Sequence, residues 1–224
     1  MRKHCFFWAL FFLSIFFLAA QEKIVIEHDY TDRDEKGHYI TEIIFDNDGI
    51  IKSRTGNYSV INVAKEQNTY IVTDTTTNSE TEVWRVRERK HFIEENNGVI
   101  TVWWNTTMQP MTVAITENTI KLETGERLDF SMNSNTITLG RYVLSYENGR
   151  LIRIDDPGEF QLFNVTRQNS RQYVINIINP GSGSDKCQIW TDTTPKTMRQ
   201  NAINFLILLF NKPVSYIPFI IGRY

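Results

Sequence analysis

The chain of 224 residues is poor in the side chains from which disulfide scaffolds and most catalytic sites are built. It has two cysteines, Cys5 and Cys187, and Cys5 falls in an N-terminal leader. With one cysteine left after processing, no intrachain disulfide is expected, and a hydrophobic core must hold the fold. Histidine is scarce as well: beyond the leader only His28, His38 and His91 remain. None of them sits in a recognised nucleophile context, and the Gly-x-Ser-x-Gly elbow is missing. No catalytic residue is assigned. A basic excess is lacking too, since removal of Arg2 and Lys3 leaves 22 basic against 26 acidic side chains. That balance argues against nucleic-acid binding.

What is present begins with the leader itself. Arg2, Lys3 and His4 form a positive region, Phe6 to Leu18 an apolar run broken only by Ser14, and Ala19-Ala20 a small-residue end. The run is shorter than the roughly 20 residues of a spanning helix. Residues 1–20 therefore read as a secretory signal peptide cleaved before Gln21. The expected location is outside the cytoplasm: periplasm, cell envelope or extracellular space. Cys5 precedes the apolar run, which is the wrong place for a lipid-modified mature N-terminus.

Residues 21–191 read as one antiparallel β domain. Ile24, Ile26, His28 and Tyr30 alternate along the first run, and Tyr39–Phe45 forms a second. Further runs follow at 58–63, 69–73, 81–87, 90–94, 99–104, 111–115, 119–123 and 127–132. The series ends with 135–139, 141–146, 150–154, 159–165, 172–178 and 186–191. β-Branched and aromatic residues fill these segments, while Asn, Asp, Gly and Pro separate them. Many short strands predict a β-sandwich or barrel rather than alternating βαβ units. Their expected length, mostly five to seven residues, is too short for a membrane-spanning barrel.

An internal duplication is suggested by two matching stretches, about 38–88 and 140–191. The first carries Phe45-Asp-Asn-Asp-Gly49, Gly56-Asn-Tyr58-Ser-Val60-Ile-Asn62-Val63, Tyr70-Ile-Val and Trp84. The second carries Tyr146-Glu-Asn-Gly149, Gly158-Glu-Phe160-Gln-Leu162-Phe-Asn164-Val165, Tyr173-Val-Ile and Trp190. Asn148-Gly149 between alternating runs is a hairpin signal, because a type I′ turn needs positive φ at both central residues. Turn glycines 49, 98 and 149 also admit a competing reading of three units of about fifty residues.

Residues 192–224 depart from β structure. Thr194 is a candidate N-cap, Pro195 suits the first helical position, and Thr197–Asn211 runs free of Pro and Gly until Pro213. Phe205 to Phe210 are all apolar, so this half of the helix must be buried or must contact a protein or membrane surface. Packing over the β structure is the expected arrangement.

Several constellations bring together side chains with chemical potential. Trp103 and Trp104 are adjacent in a strand and so face opposite sides. One ring is then placed to stack on a glycan or apolar ligand, and these two residues are the candidate ligand-binding site. Arg85, Arg87, Arg89 and His91 alternate into a positive stripe, readable as an anion site or as a charged face against edge pairing. Cys187, alternating with Ile189, reads as a core-facing thiol. Glu27, His28, Asp29 and His38 lie near one loop, but their spacing is unspecific, and no metal or cofactor is assigned. Asn57, Asn105 and Asn164 fit the N-glycosylation acceptor pattern. Asp155, Asp156 and Glu159 would serve a glycan-acting hydrolase, yet they also suit an acidic turn around Pro157. The expectation is an exported, non-catalytic β protein that is envelope-associated or binds a ligand, a small apolar molecule or a glycan. The alternatives are that hydrolase, or a scaffold subunit docking through Phe205–Phe210.

Overall fold

The computed structural model describes residues 21–32, 35–57, 59–80, 83–104, 111–116, 119–122, 130–140, 142–148, 150–155, 162–169, 171–179, 183–191 and 196–208. The protein is mainly β. The first eight strands are β1 (Lys23–Asp32), β2 (Glu35–Phe45), β3 (Ile51–Thr55), β4 (Ser59–Glu66), β5 (Thr69–Glu80), β6 (Val83–Asn96), β7 (Val99–Trp104) and β8 (Met111–Thr116). Then come β9 (Thr119–Leu122), β10 (Phe130–Met132), β11 (Thr136–Leu139), β12 (Tyr142–Glu147) and β13 (Arg150–Asp155). Among the described residues the series closes with β14 (Leu162–Arg167), β15 (Gln172–Asn179), β16 (Gly183–Thr191) and a helix, α1 (Met198–Leu208).

All sixteen strands belong to one sheet, and its order follows the sequence except that β1 pairs with β16. Every described pairing is antiparallel, as short turns between consecutive strands require. The ends of this order are β13 and β14, whose Cα atoms approach within 8 Å. The tight turns Asp46–Ile50, Gln67-Asn68 and Asn97-Gly98 share one end of the sheet. Asn97 and Gly98 both have positive φ, 51° and 81°, as a two-residue hairpin turn demands.

The inner face is apolar along its length: Ile24 and Ile26 on β1, Ile43 and Phe45 on β2, Val72 on β5, Ile93 on β6. Around the sheet this continues through Ile100, Val113, Ile120, Met132, Ile137 and Leu144. The outer face carries Lys52, Asn62, Glu66, Lys121 and Arg153, all exposed. A lipid-spanning barrel has the opposite polarity, apolar outside and polar within.

Three expectations need correction. Strand β3 was not anticipated, because Ile51-Lys-Ser-Arg-Thr55 has little apolar alternation, and a bulge at Ile44/Phe45 resets its phase. The segments 81–87 and 90–94 are one strand of 14 residues, and β5 extends to 12. Thr75, Thr76 and Thr77 keep β5 extended where its side chains are no longer needed for the core. Strand shortness therefore fails as an argument against membrane spanning, and the polarity of the two faces replaces it. Finally, Trp84 and Trp190 are not equivalent: Trp84 opposes Ser79 far along the β5–β6 hairpin, whereas Trp190 opposes Gln172 at the start of β15.

Helix α1 enters at the tight-turn end. Its cap is Thr197, not Thr194, which lies outside the described residues with Pro195. Thr197 Oγ1 accepts from the Gln200 N–H at 3.2 Å, and Gln200 Oε1 accepts from the Thr197 N–H at 2.7 Å. This reciprocal pair is a capping box. From Asn201 to Leu208 every residue is at most 1% exposed. Successive helical residues rotate by about 100°, so eight of them sample every direction around the axis. From Asn201 onward the helix is therefore covered on all sides.

Candidate functional site

Two places in the sheet carry side chains that its packing does not demand: an aromatic ledge outside, and a polar patch on the inner face. The ledge is set by register. Ala64 on β4 opposes Ile71 on β5, Ile71 opposes Phe92 on β6, and Phe92 opposes Trp103 on β7. The Phe92 and Trp103 rings lie 5.7 Å apart at 14° to each other, and both residues are half-buried. Thr69, Glu94, Thr101 and Thr112 form the adjoining outward row on one flank, and Thr73 and Lys90 lie on the other. The result is a flat apolar surface with hydrogen-bonding neighbours.

Trp104 faces the other way. It opposes His91 in register and packs against the core cluster. His91 is buried, and its Nε2 lies 3.0 Å from the carbonyl oxygen of Leu206 in α1. Desolvation by burial pushes the His91 imidazole down to about 4, although the bond to Leu206 works in the opposite direction. A neutral ring donating from Nε2 fits both facts. The two tryptophans thus sit on opposite faces, as strand geometry requires. Sequence reading missed Phe92, whose alternation with Glu94 was visible but whose cross-strand partner was not.

Helix α1 packs against the inner face of the sheet. Phe205 stacks on Phe130 at 3.7 Å and 8°, and Leu206, Ile207 and Leu208 are buried beside it. These four residues are buried within the chain; Leu209 and Phe210 lie outside the described residues. Polar anchors fix the helix. Asn204 Oδ1 accepts from the Ile51 N–H at 2.8 Å, and Asn204 Nδ2 donates to the Gly49 carbonyl at 3.0 Å. Gln200 donates to the Asp48 carbonyl at 2.6 Å. Arg199 pairs with Glu95, which raises the already high guanidinium value further, and Lys196 pairs with Glu22.

The other candidate residues do not converge. Asp29 and His38 are Cα partners and pair through Nδ1 at 2.5 Å, while His28 belongs to the opposite face with Tyr39, 6.4 Å between ring centroids. Among the described residues no three His, Cys, Asp or Glu side chains are grouped as a metal site. Cys187 is the Cα partner of His28 across β1 and β16. Asp155 holds Arg153 at 2.5 Å on the exposed side of β13, and Asp156 and Glu159 lie outside the described residues. Asn57 is exposed, Asn164 pairs with Asn176 in register, and Asn105 lies outside the described residues. No described helix is long and apolar enough to cross a membrane.

No protein-family model, curated protein or solved structure matches this chain.

Proposed function

We propose that this chain is an exported, non-catalytic binding protein that holds a glycan on the outer ledge of Ile71, Phe92 and Trp103. The observation that carries the reading is the parallel Phe92–Trp103 pair on the outside of a sheet whose inside is occupied by its own helix. A flat aromatic surface stacks on the apolar C–H face of a sugar ring. Flanking Thr69, Thr73, Lys90, Glu94 and Thr101 supply donors and acceptors for its hydroxyls.

The scaffold in this reading is a closed barrel formed by duplication. Closure is supported by the nearness of β13 to β14 and by the all-round burial of α1. Duplication is supported by shared register. Val63 opposes Val72 and Lys65 opposes Tyr70, just as Val165 opposes Ile175 and Arg167 opposes Tyr173. The basic residue lies over the tyrosine ring in both, at 5.2 Å and 5.7 Å. A bulge precedes the matched turn in each copy, at Ile44/Phe45 and at Ser145/Tyr146.

The test is a glycan-array screen of the full chain, followed by titration with tryptophan fluorescence. Binding lost in Trp103→Ala and Phe92→Ala but kept in Ile152→Ala, an exposed site on β13, supports the ledge. Absence of any glycan hit, or binding indifferent to Trp103, overturns it. The hydrolase alternative draws no support from Asp155, which is engaged with Arg153.

A further inference from the structure

We propose that the inner face of β3–β6, towards the end away from the tight turns, binds a phosphate or sulfate group through Arg54, Arg87 and Arg89. The alternating arginines of β6 were legible as a stripe, and register now shows what faces them. Arg89 opposes Asp74, and Arg87 opposes Thr76 on β5. One strand further, Asp74 opposes Ile61 and Thr76 opposes Ser59 on β4. Ile61 in turn opposes Arg54 on β3. Two neighbouring rows thus place Arg54, Asp74 and Arg89 beside Ser59, Thr76 and Arg87 on one face.

The usual reason for a charged strand face is protection of a sheet edge. Among the described residues β7 pairs with His91–Asn96 of β6 and not with Arg87 or Arg89, so that reason covers these two, but it does not cover Arg54, which sits on β3 between β2 and β4. Arg54 argues further, for it is only 5% exposed and its register neighbours are Ile43 and Ile61. Its Nη1 donates to Ser59 Oγ at 2.6 Å, which fixes the plane of the guanidinium. Gly56 makes room for it: a Cβ there would meet Arg54 Nη2 at 3.0 Å and Thr41 Oγ1 at 3.4 Å. Asp74, 6% exposed, places one negative charge beside the three arginines. Arg87 and Arg89 are exposed, so the patch is reachable from solvent. Arginine forks with hydroxyl neighbours match the oxygens of a tetrahedral anion. The ledge lies on the opposite face, so this site stands or falls independently of glycan binding.

The experiment titrates the full chain with inorganic phosphate and with sulfate at constant ionic strength, read by calorimetry and amide chemical shifts. Vesicles of phosphatidylglycerol and of phosphatidylcholine form a second arm. Saturable binding of a free anion is expected, weakened at least about tenfold in Arg87→Gln/Arg89→Gln and unchanged in Lys121→Gln. Retention on phosphatidylglycerol vesicles alone, lost in the same double variant, assigns the group to a lipid headgroup. The double variant changes two exposed residues and spares the core, whereas Arg54→Gln is read only if it folds. No saturable binding in either arm, or binding unchanged by the double variant, overturns the proposal.

Discussion

His91 joins sheet to helix through its hydrogen bond to the Leu206 carbonyl, and its burial makes that bond answer to pH. The folded protein holds the ring well below 6.5, at about 4, so it favours the neutral form. Above pH 6.5 neither state carries the proton and the residue costs nothing. As pH falls from 6.5 towards 4 the unfolded chain takes up a proton that the folded chain resists, and stability drops. The full loss is roughly 3 kcal/mol, complete only below the folded value. Urea unfolding of wild type and His91→Gln at pH 7, 5 and 4 should therefore converge on acidification, because the variant lacks this loss. Parallel pH profiles would show that His91 is not the acid-sensitive group. Gly49 poses a different residue-scale constraint. Its φ is +72°, and a Cβ there would meet Gln200 Nε2 at 2.8 Å. Gly49→Ala should cost about 1–2 kcal/mol through the left-handed backbone alone, with a fall in melting temperature that Asn47→Ala, an exposed turn neighbour, does not share.

At the scale of elements, the turn Asp46–Ile50 and helix α1 form one unit. Asp46 Oδ1 accepts from Asp48 and Ile50 N–H groups, both at 2.9 Å, which shapes the turn that Asn204 and Gln200 grasp. Asn204→Leu should destabilise by about 2–4 kcal/mol, since two buried backbone groups lose their partners together. A Val86→Lys change on the β5–β6 hairpin, at a residue 67% exposed, should stay within about 0.5 kcal/mol in the same denaturant assay. The contrast also explains what was legible beforehand. The helix, its burial and most strands were visible because their apolar pattern is set by local chemistry. Asn204 and Arg54 were not, because each is polar within a pattern that should be apolar, and its partner lies on another element. Trp84 and Trp190 misled for the same reason: identical residues at similar spacing say nothing about register. Phe92 and Trp103 form a site only because three β pairings align Ala64, Ile71, Phe92 and Trp103 in one row.

At the scale of the whole molecule, strand number and helix placement depend on each other. A barrel of eight strands can be filled by strand side chains, whereas sixteen leave a channel in the membrane proteins that use them. Here α1, buried from Asn201 to Leu208, lies on the inner face, and Phe205 on Phe130 brings it to β10. Closure then rests on β13 and β14. The N–H groups of β13 that point away from β12 either bond to β14 or face water. In a closed barrel they should exchange with deuterium as slowly as the central strand β7, over hours, because their opening requires loss of the packed interior. In an open sheet only the alternate set facing β12 would be slow, and the outward set of β13 would exchange at the rate of a surface loop. Single-residue exchange across Arg150–Asp155 decides between these outcomes. Fast exchange of that outward set would leave two free edges at the seam and return the architecture to an open, curved sheet wrapped around its helix.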